Sequence, residues 1–263
     1  MLPEQNENTP IQHQHQDAAQ NRVVFTDVLR RDGGLTRLIE LRRPEKRNCL
    51  SLKMLDALLF ALSTSGKADC IVLTGDRPSF CAGIDLKEIG GPDGVTEASV
   101  LNHLIRLVDI YRCLLTAETR TIVLAHGYAA GGGTGLLASA KNVIVSNDFQ
   151  LKLPGDKLAR FAAVALPVLK LRATIKPAQA EDWLGQVCDA ATAKDLGLVD
   201  QIVSPERLDE IVGSVRRGST APEFRRFSLP TASALKEALV DLEQFLNSLQ
   251  RPSTSSNGSQ SGT

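Results

Sequence analysis

Two short glycine-bearing turns constrain this chain more than any other feature. Each follows an apolar run typical of a buried strand, at residues 71–74 and 121–125, and each precedes a segment with helical character. The turns read Phe80-Cys81-Ala82-Gly83-Ile84-Asp85 and Gly127-Tyr128-Ala129-Ala130-Gly131-Gly132-Gly133. The first N–H groups of a helix have no intrahelical acceptor and lie at the positive end of its dipole, which suits a developing oxyanion. Two such turns can hold one carbonyl oxygen between them.

Strand and helix signals alternate from residue 22 to residue 250, which predicts an α/β fold. Two apolar runs flank Asp32-Gly33-Gly34 and predict a hairpin, and Ser51 is expected to cap a helix. We predict further strands at residues 70–73, 122–125, 143–146 and 199–203, and further helices at 100–115, 178–184, 192–196, 206–216 and 231–249. We expect a core domain at 22–204 and a helical region at 205–250. Tails 1–21 and 251–263 are rich in polar residues and are predicted to be disordered.

Composition excludes several classes of partner. Thirty basic residues balance thirty acidic ones and aromatic residues are only 4% of the 263, so we expect no nucleic-acid partner. No apolar run approaches the roughly 20 residues needed to span a bilayer, so we expect no membrane partner. The N-terminus lacks the layout of a secretory signal. Five cysteines, odd in number and without a C-x-x-C pair, predict a reduced, cytoplasmic protein without a structural metal.

Four ordered segments carry a family resemblance. They are Arg43-Pro44-Glu45-Lys46-Arg47-Asn48-Cys49-Leu50-Ser51, the strand at 71–75 with the first turn, residues 126–133, and Ala193-Lys194-Asp195-Leu196-Gly197-Leu198-Val199-Asp200. On these residues the chain resembles the crotonase superfamily, the enoyl-CoA hydratase/isomerase family. The resemblance implies an α/β crotonase-like spiral of strand-strand-helix repeats with a C-terminal helical region. It also implies an acyl-CoA substrate, no permanently bound cofactor (coenzyme A arrives as part of the thioester), and homotrimers or dimers of trimers.

The resemblance also implies residue roles. The backbone N–H groups of Ile84 and Gly132 match the two oxyanion donors of the family. The positions matched to substrate and CoA binding are Arg47, Cys49, Ala82, Ile84, Asp85, Lys87 and Gly132. Asp85 and Glu88 have the spacing of a helix capping box, which is an alternative reading for both. Lys87 is either near the CoA phosphates or a solvated helix lysine.

The chain departs from the family at both hydratase glutamates. The matching positions are Gly135 and Gly155, and neither can transfer a proton. Asp156 and Lys157 are the leading replacements, although both also fit an exposed charged turn. Further candidates are His126 and, on one predicted helix, His103, Arg106 and Asp109. All of them also have ordinary structural readings.

Three functions stay open at this point. The first is an acyl-CoA enzyme that works through a stabilised enolate but does not carry out ordinary hydration. The second is a non-catalytic acyl-CoA binder or partner subunit, and the third is a hydratase/isomerase with relocated acids. A leucine stripe on the last helix fits either a subunit contact or an intramolecular core. Its members are Leu235, Leu239, Leu242, Leu246 and Leu249.

Overall fold

Two β-sheets and a set of helices make up the described part of the chain. The computed structural model describes residues 22–90, 96–152, 163–174, 185–219 and 231–250. In chain order its strands are β1 (Val23–Leu29), β2 (Leu35–Leu41), β3 (Cys70–Gly75), β4 (Arg120–Ala125), β5 (Tyr128–Ala130), β6 (Asn142–Ser146), β7 (Gln150–Lys152), β8 (Val187–Asp189) and β9 (Gln201–Val203). Its α-helices are α1 (Leu52–Ser63), α2 (Leu86–Gly90), α3 (Glu97–Thr116), α4 (Gly132–Ser139), α5 (Leu166–Arg172), α6 (Ala190–Asp195), α7 (Pro205–Arg216) and α8 (Ala232–Gln250). The predicted tails and the predicted helix at 178–184 lie outside the described residues.

The larger sheet has six strands in the order β1-β2-β3-β4-β6-β9. β1 and β2 pair antiparallel from Val23 opposite Leu41 to Leu29 opposite Leu35, which confirms the predicted hairpin. Gly33 adopts a φ of 83° in its turn, a conformation that favours glycine. All the other pairs in this sheet are parallel. The carboxyl ends of β3 and β4 therefore lie at the same edge.

Both faces of this sheet are covered. In β3, Ile71 and Leu73 join the larger core cluster, while Cys70 and Val72 join the smaller one. The larger cluster includes α1 and α3, and the smaller cluster includes α7. Alternate side chains of a strand point to opposite faces, so a strand covered on both faces needs a continuous apolar run. This explains why residues 70–73 are apolar without alternation.

Side-chain caps fix where the long helices begin. The Ser51 hydroxyl accepts from the Met54 N–H at 3.2 Å and begins α1, as predicted. The Thr96 hydroxyl accepts from the Ser99 N–H at 3.1 Å and begins α3. Such caps satisfy helix donors that otherwise lack acceptors.

The leucine stripe of α8 is used within the chain. Leu242 is fully buried, and Leu246 and Leu249 pack against the core. The helix contacts α3 and α5, while Leu235 and Leu239 are half-buried. Of the two readings of the stripe, the intramolecular core therefore accounts for its C-terminal half.

Three details differ from the sequence prediction. Helix α5 was not predicted. A second, three-stranded sheet of β5, β7 and β8 was not predicted, because three-residue strands are too short to show a period. The predicted strand at 199–203 begins at Gln201 instead. Val199 is not in it because its N–H donates to the Ala193 carbonyl at 3.2 Å and closes the end of α6.

Candidate active site

The fold places the two glycine turns side by side. Because β3 and β4 are adjacent and parallel, the turns that follow them leave the same edge of the sheet. Cys81 and Ala129 form a parallel bridge between the turns. The Cys81 N–H donates to the Tyr128 carbonyl at 3.3 Å, and the Ala130 N–H donates to the Cys81 carbonyl at 2.9 Å. The two segments that the sequence singled out are thus hydrogen-bonded neighbours.

The N–H of Ile84 points away from Leu50, with which the neighbouring residues 83 and 85 form backbone hydrogen bonds. The Leu50 N–H donates to the Gly83 carbonyl at 2.7 Å, and the Asp85 N–H donates to the Leu50 carbonyl at 2.9 Å. Backbone donors of an extended segment alternate in direction, so the Ile84 N–H points to the other side. None of the described residues accepts a hydrogen bond from it.

Gly132 presents a second N–H close by. It is the first residue of α4, so its N–H has no intrahelical acceptor, and no acceptor for it is found within the described ranges. A β-carbon added to Gly132 would lie 3.7 Å from Cγ1 of Ile84, and one added to Gly83 would lie 3.0 Å from the Gly132 nitrogen. The residues that carry the two donors are therefore in direct proximity.

Close packing between the turns explains the other small residues. A β-carbon on Gly133 would lie 2.9 Å from Cβ of Cys81. Gly131 has a φ of 50°, which turns the chain into α4. Cys81 itself is fully buried, and burial raises the pKa of its thiol to about 12. Cys81 is thus a packed small residue and not a reactive thiolate.

Gly135, which the resemblance matches to the first hydratase glutamate, faces an aromatic side chain. A β-carbon added there would overlap Cζ and the hydroxyl oxygen of Tyr111 and lie 2.7 Å from its Cε2. Tyr111 is fully buried on α3 and donates a hydrogen bond to the Gly132 carbonyl at 2.7 Å. Gly155, matched to the second glutamate, and the candidates Asp156 and Lys157 lie outside the described residues.

Asp85 caps α2, but Glu88 does not complete the predicted box. The Asp85 carboxylate accepts from the N–H groups of Lys87 and Glu88 at 3.1 and 3.4 Å. Glu88 instead accepts from the Leu52 N–H at 3.1 Å, because the first turn of α1 lies beside it. The prediction for Glu88 is therefore wrong: it satisfies a donor of another helix.

Arg43, which was not predicted as a site residue, pairs with Asp85 at 2.7 Å. Burial opposes ionisation of Asp85, but the hydrogen bond and charge of Arg43 outweigh it and lower the pKa of this carboxyl. The same guanidinium donates to the Cys49 carbonyl at 3.1 Å. The signal for Arg43 in the sequence was its place in the first family segment.

The residues matched to CoA binding lie around the Arg43–Asp85 pair and differ in their exposure to solvent. Cys49 is half-buried, and burial together with the nearby Asp85 raises the pKa of its thiol to about 11. Ala82 is half-buried and its N–H donates to the Arg47 carbonyl at 3.0 Å. Arg47 and Lys87 are exposed, and the Arg47 guanidinium lies 3.4 Å from the Tyr128 hydroxyl.

The histidines near the site are both buried. His103 on α3 bonds the Ser99 carbonyl through Nδ1 at 2.8 Å, and its Nε2 lies 3.6 Å from the Glu88 carboxylate. His126 has an Nε2 without a hydrogen-bond partner among the described residues, and burial and the charge of Arg77 lower its pKa. Arg106 is exposed and pairs with Asp56 of α1 at 2.7 Å, whereas Asp109 is half-buried.

An α/β fold with two adjoining glycine turns at one sheet edge defines the class of this protein. The family model for enoyl-CoA hydratase/isomerase matches residues 33–220, and the chain belongs to this family. A probable enoyl-CoA hydratase of Rhizobium meliloti (strain 1021) is 32% identical over 223 residues, 82% of this chain and 82% of that protein.

The chain is also similar to a more distant relative and to a solved structure. The (7aS)-7a-methyl-1,5-dioxo-2,3,5,6,7,7a-hexahydro-1H-indene-carboxyl-CoA hydrolase of Mycobacterium tuberculosis is 26% identical over 70% of this chain and 72% of its own length. The crystal structure of an enoyl-CoA hydratase of Mycobacterium ulcerans superposes with a TM-score of 0.68 at 20% identity, covering 87% of this chain and 97% of that chain. This likeness confirms the crotonase fold and its helical C-terminal region. None of the described helices is long and apolar enough to cross a membrane.

Proposed function

We propose that this chain is an acyl-CoA enzyme that binds the thioester carbonyl oxygen between the N–H groups of Ile84 and Gly132. The observation that carries the proposal is that these N–H groups belong to adjoining turns and have no acceptor among the described residues. Fixed backbone donors stabilise the negative charge that develops on the oxygen of an enolate.

The reaction we propose is not ordinary hydration. Gly135 offers no acid or base, and a general acid or base typically contributes about 10²–10⁴-fold. Isomerisation, decarboxylation, hydrolysis and C–C cleavage of an acyl-CoA can all pass through a stabilised enolate or oxyanion. The hydrolase from Mycobacterium tuberculosis, named for a CoA thioester, supports chemistry other than hydration in a related chain.

Coenzyme A is proposed to enter as part of the substrate, with no permanently bound cofactor. Arg47, Lys46 and Lys87 are exposed near the first turn and can meet the anionic phosphates of CoA. Cys49, Ala82 and Asp85 complete this proposed surface. We also propose a reducing, cytoplasmic location, which the odd number of cysteines and the lack of a C-x-x-C pair support.

A mass-spectrometric time course with saturated, enoyl, malonyl-type and aromatic acyl-CoAs tests the proposal. Hydration adds a water, decarboxylation loses carbon dioxide, hydrolysis releases free CoA, and isomerisation leaves the mass unchanged but is separable by chromatography. Addition of water as the main reaction would contradict the proposal and favour a hydratase with relocated acids such as Asp156. Binding of the thioesters without any turnover would favour the second candidate, a non-catalytic acyl-CoA binder, which the glycine at position 135 also suits.

A pair of substitutions at Gly132 isolates the proposed donor. Gly132→Pro removes the N–H at the first position of a helix, where proline is well tolerated. Gly132→Ala adds a β-carbon beside the flexible side chain of Leu107 but keeps the N–H. We expect turnover of Gly132→Pro to fall at least about 100-fold below that of Gly132→Ala, since loss of one oxyanion donor has this effect. Equal turnover of the two variants would remove Gly132 from the mechanism.

A further inference from the structure

Tyr111 fills the space that a side chain at position 135 would need. Its ring is fully buried on α3, 24 positions before Gly135 in the sequence, and the phenol lies where a β-carbon on Gly135 would project. Unlike the end of a long flexible side chain, an aromatic ring packed on all sides has no free volume into which to withdraw. The sequence has no acid at position 135, and the Tyr111 side chain of α3 leaves no space for one.

The hydroxyl of Tyr111 also holds the first turn of α4. It donates to the Gly132 carbonyl at 2.7 Å, in the residue whose N–H we assign to the thioester oxygen. Burial raises the pKa of this phenol well above its ordinary value, so it stays protonated and remains a donor. A single side chain thus blocks one position of the site and anchors another.

We propose that Tyr111 and Gly135 form a complementary pair in which the phenol replaces the acid side chain of position 135 and positions the Gly132 donor. Tyr111 is therefore a positioning residue. The site can carry out only acyl-CoA chemistry that needs no acid at position 135. This inference rests on the proposed function for its role in substrate binding. The steric pairing itself does not depend on that function.

The steric pairing predicts that Gly135→Ala changes the Tm in opposite directions with and without the Tyr111 ring. Gly135→Ala is expected to lower the Tm in the native background, because the new β-carbon meets Tyr111. In a Tyr111→Ala background the same substitution is expected to raise the Tm, because alanine is the better helix former. Gly213→Ala in α7 is the matched control: its β-carbon would meet only the guanidinium end of the long, exposed Arg217 side chain, at 3.1 Å, so we expect it to raise the Tm. An equal loss of Tm from Gly135→Ala in both backgrounds would overturn the pairing, and Tyr111→Leu can replace Tyr111→Ala if the latter fails to fold.

The positioning role of Tyr111 is tested on the carbonyl group of a bound thioester. The probe is a saturated acyl-CoA with ¹³C at the thioester carbonyl, followed by infrared difference spectroscopy. Binding to the native protein is expected to move the carbonyl band to lower frequency, and Tyr111→Phe, which keeps the ring and loses the hydroxyl, is expected to reduce that shift. An undiminished shift in Tyr111→Phe would overturn the positioning role. A native protein that binds the probe without any shift would instead contradict the proposed function, while the Tm series would still decide the steric pairing.

Discussion

Glu88 and His103 illustrate how single residues acquire roles from distant partners. Glu88 has the spacing of a capping box, yet its carboxylate serves the Leu52 N–H and lies 3.6 Å from Nε2 of His103. His103 lies one helical turn before Leu107, and Cδ2 of Leu107 would lie 2.6 Å from a β-carbon on Gly132. The histidine is therefore one helical turn from the leucine that faces Gly132, and its Nε2 has no hydrogen-bond partner among the described residues.

We expect His103→Gln to lower turnover by about 100-fold with little change in acyl-CoA affinity, as for loss of a general acid or base. Steady-state kinetics and equilibrium binding with one active acyl-CoA would measure the two effects. Arg106→Gln is the matched control on the same helix, since Arg106 is exposed and pairs with Asp56. Native turnover in His103→Gln would show that this histidine only packs the core.

At the level of elements, a buried ion pair joins three segments that are distant in sequence. Arg172 at the end of α5 pairs with Asp200 and donates to the carbonyls of Leu198 and Ala140 at 2.8 and 2.6 Å. Asp200 also accepts from the Val143 N–H at 2.6 Å, at the start of β6. The Asp200 at the end of the fourth family segment is therefore a structural residue that fixes α5 against the main sheet.

Arg172→Met is expected to lower the free energy of unfolding by about 3–5 kcal/mol, because it leaves a buried carboxylate without its partner. The double variant Arg172→Met/Asp200→Asn is expected to lose less than the sum of its single changes. Urea denaturation measures all three variants. Additive losses would show that the two side chains act independently. Arg207→Ala, which breaks an exposed pair with Glu210 on α7, is the control that we expect to change stability little.

For the whole molecule, we propose the homotrimers or dimers of trimers that the resemblance implies. The described surface keeps large apolar side chains that a neighbouring copy can cover, among them Val187, Leu29 and Phe60, which are 58%, 55% and 46% exposed. The C-terminal half of the α8 stripe is already used inside the chain, so a subunit contact cannot rest on that half.

Sedimentation equilibrium of the purified protein tests this assembly. We expect a mass of three or six times the 28.4 kDa of the chain. Val187→Lys, on the outer strand β8, is expected to shift the distribution towards monomers if that edge is in the contact. A monomer across the concentration range would contradict the proposal, and Lys53→Glu on α1 serves as a surface-charge control.

The sequence by itself determined the alternation of strands and helices, the helix cap at Ser51, the hairpin turn, and the two glycine turns of the proposed site. These features follow from local patterns, because periodicity and turn chemistry act over a few residues. The short strands of the second sheet carried no such pattern.

The tertiary structure alone decided which residues meet. Arg43 pairs with Asp85 across 42 positions, Glu88 satisfies a donor of α1, and Tyr111 occupies the space beside Gly135. Each contact depends on how helices and turns pack against the sheet. That packing is set by the shapes and burial of side chains far apart in the chain, which no local spacing encodes.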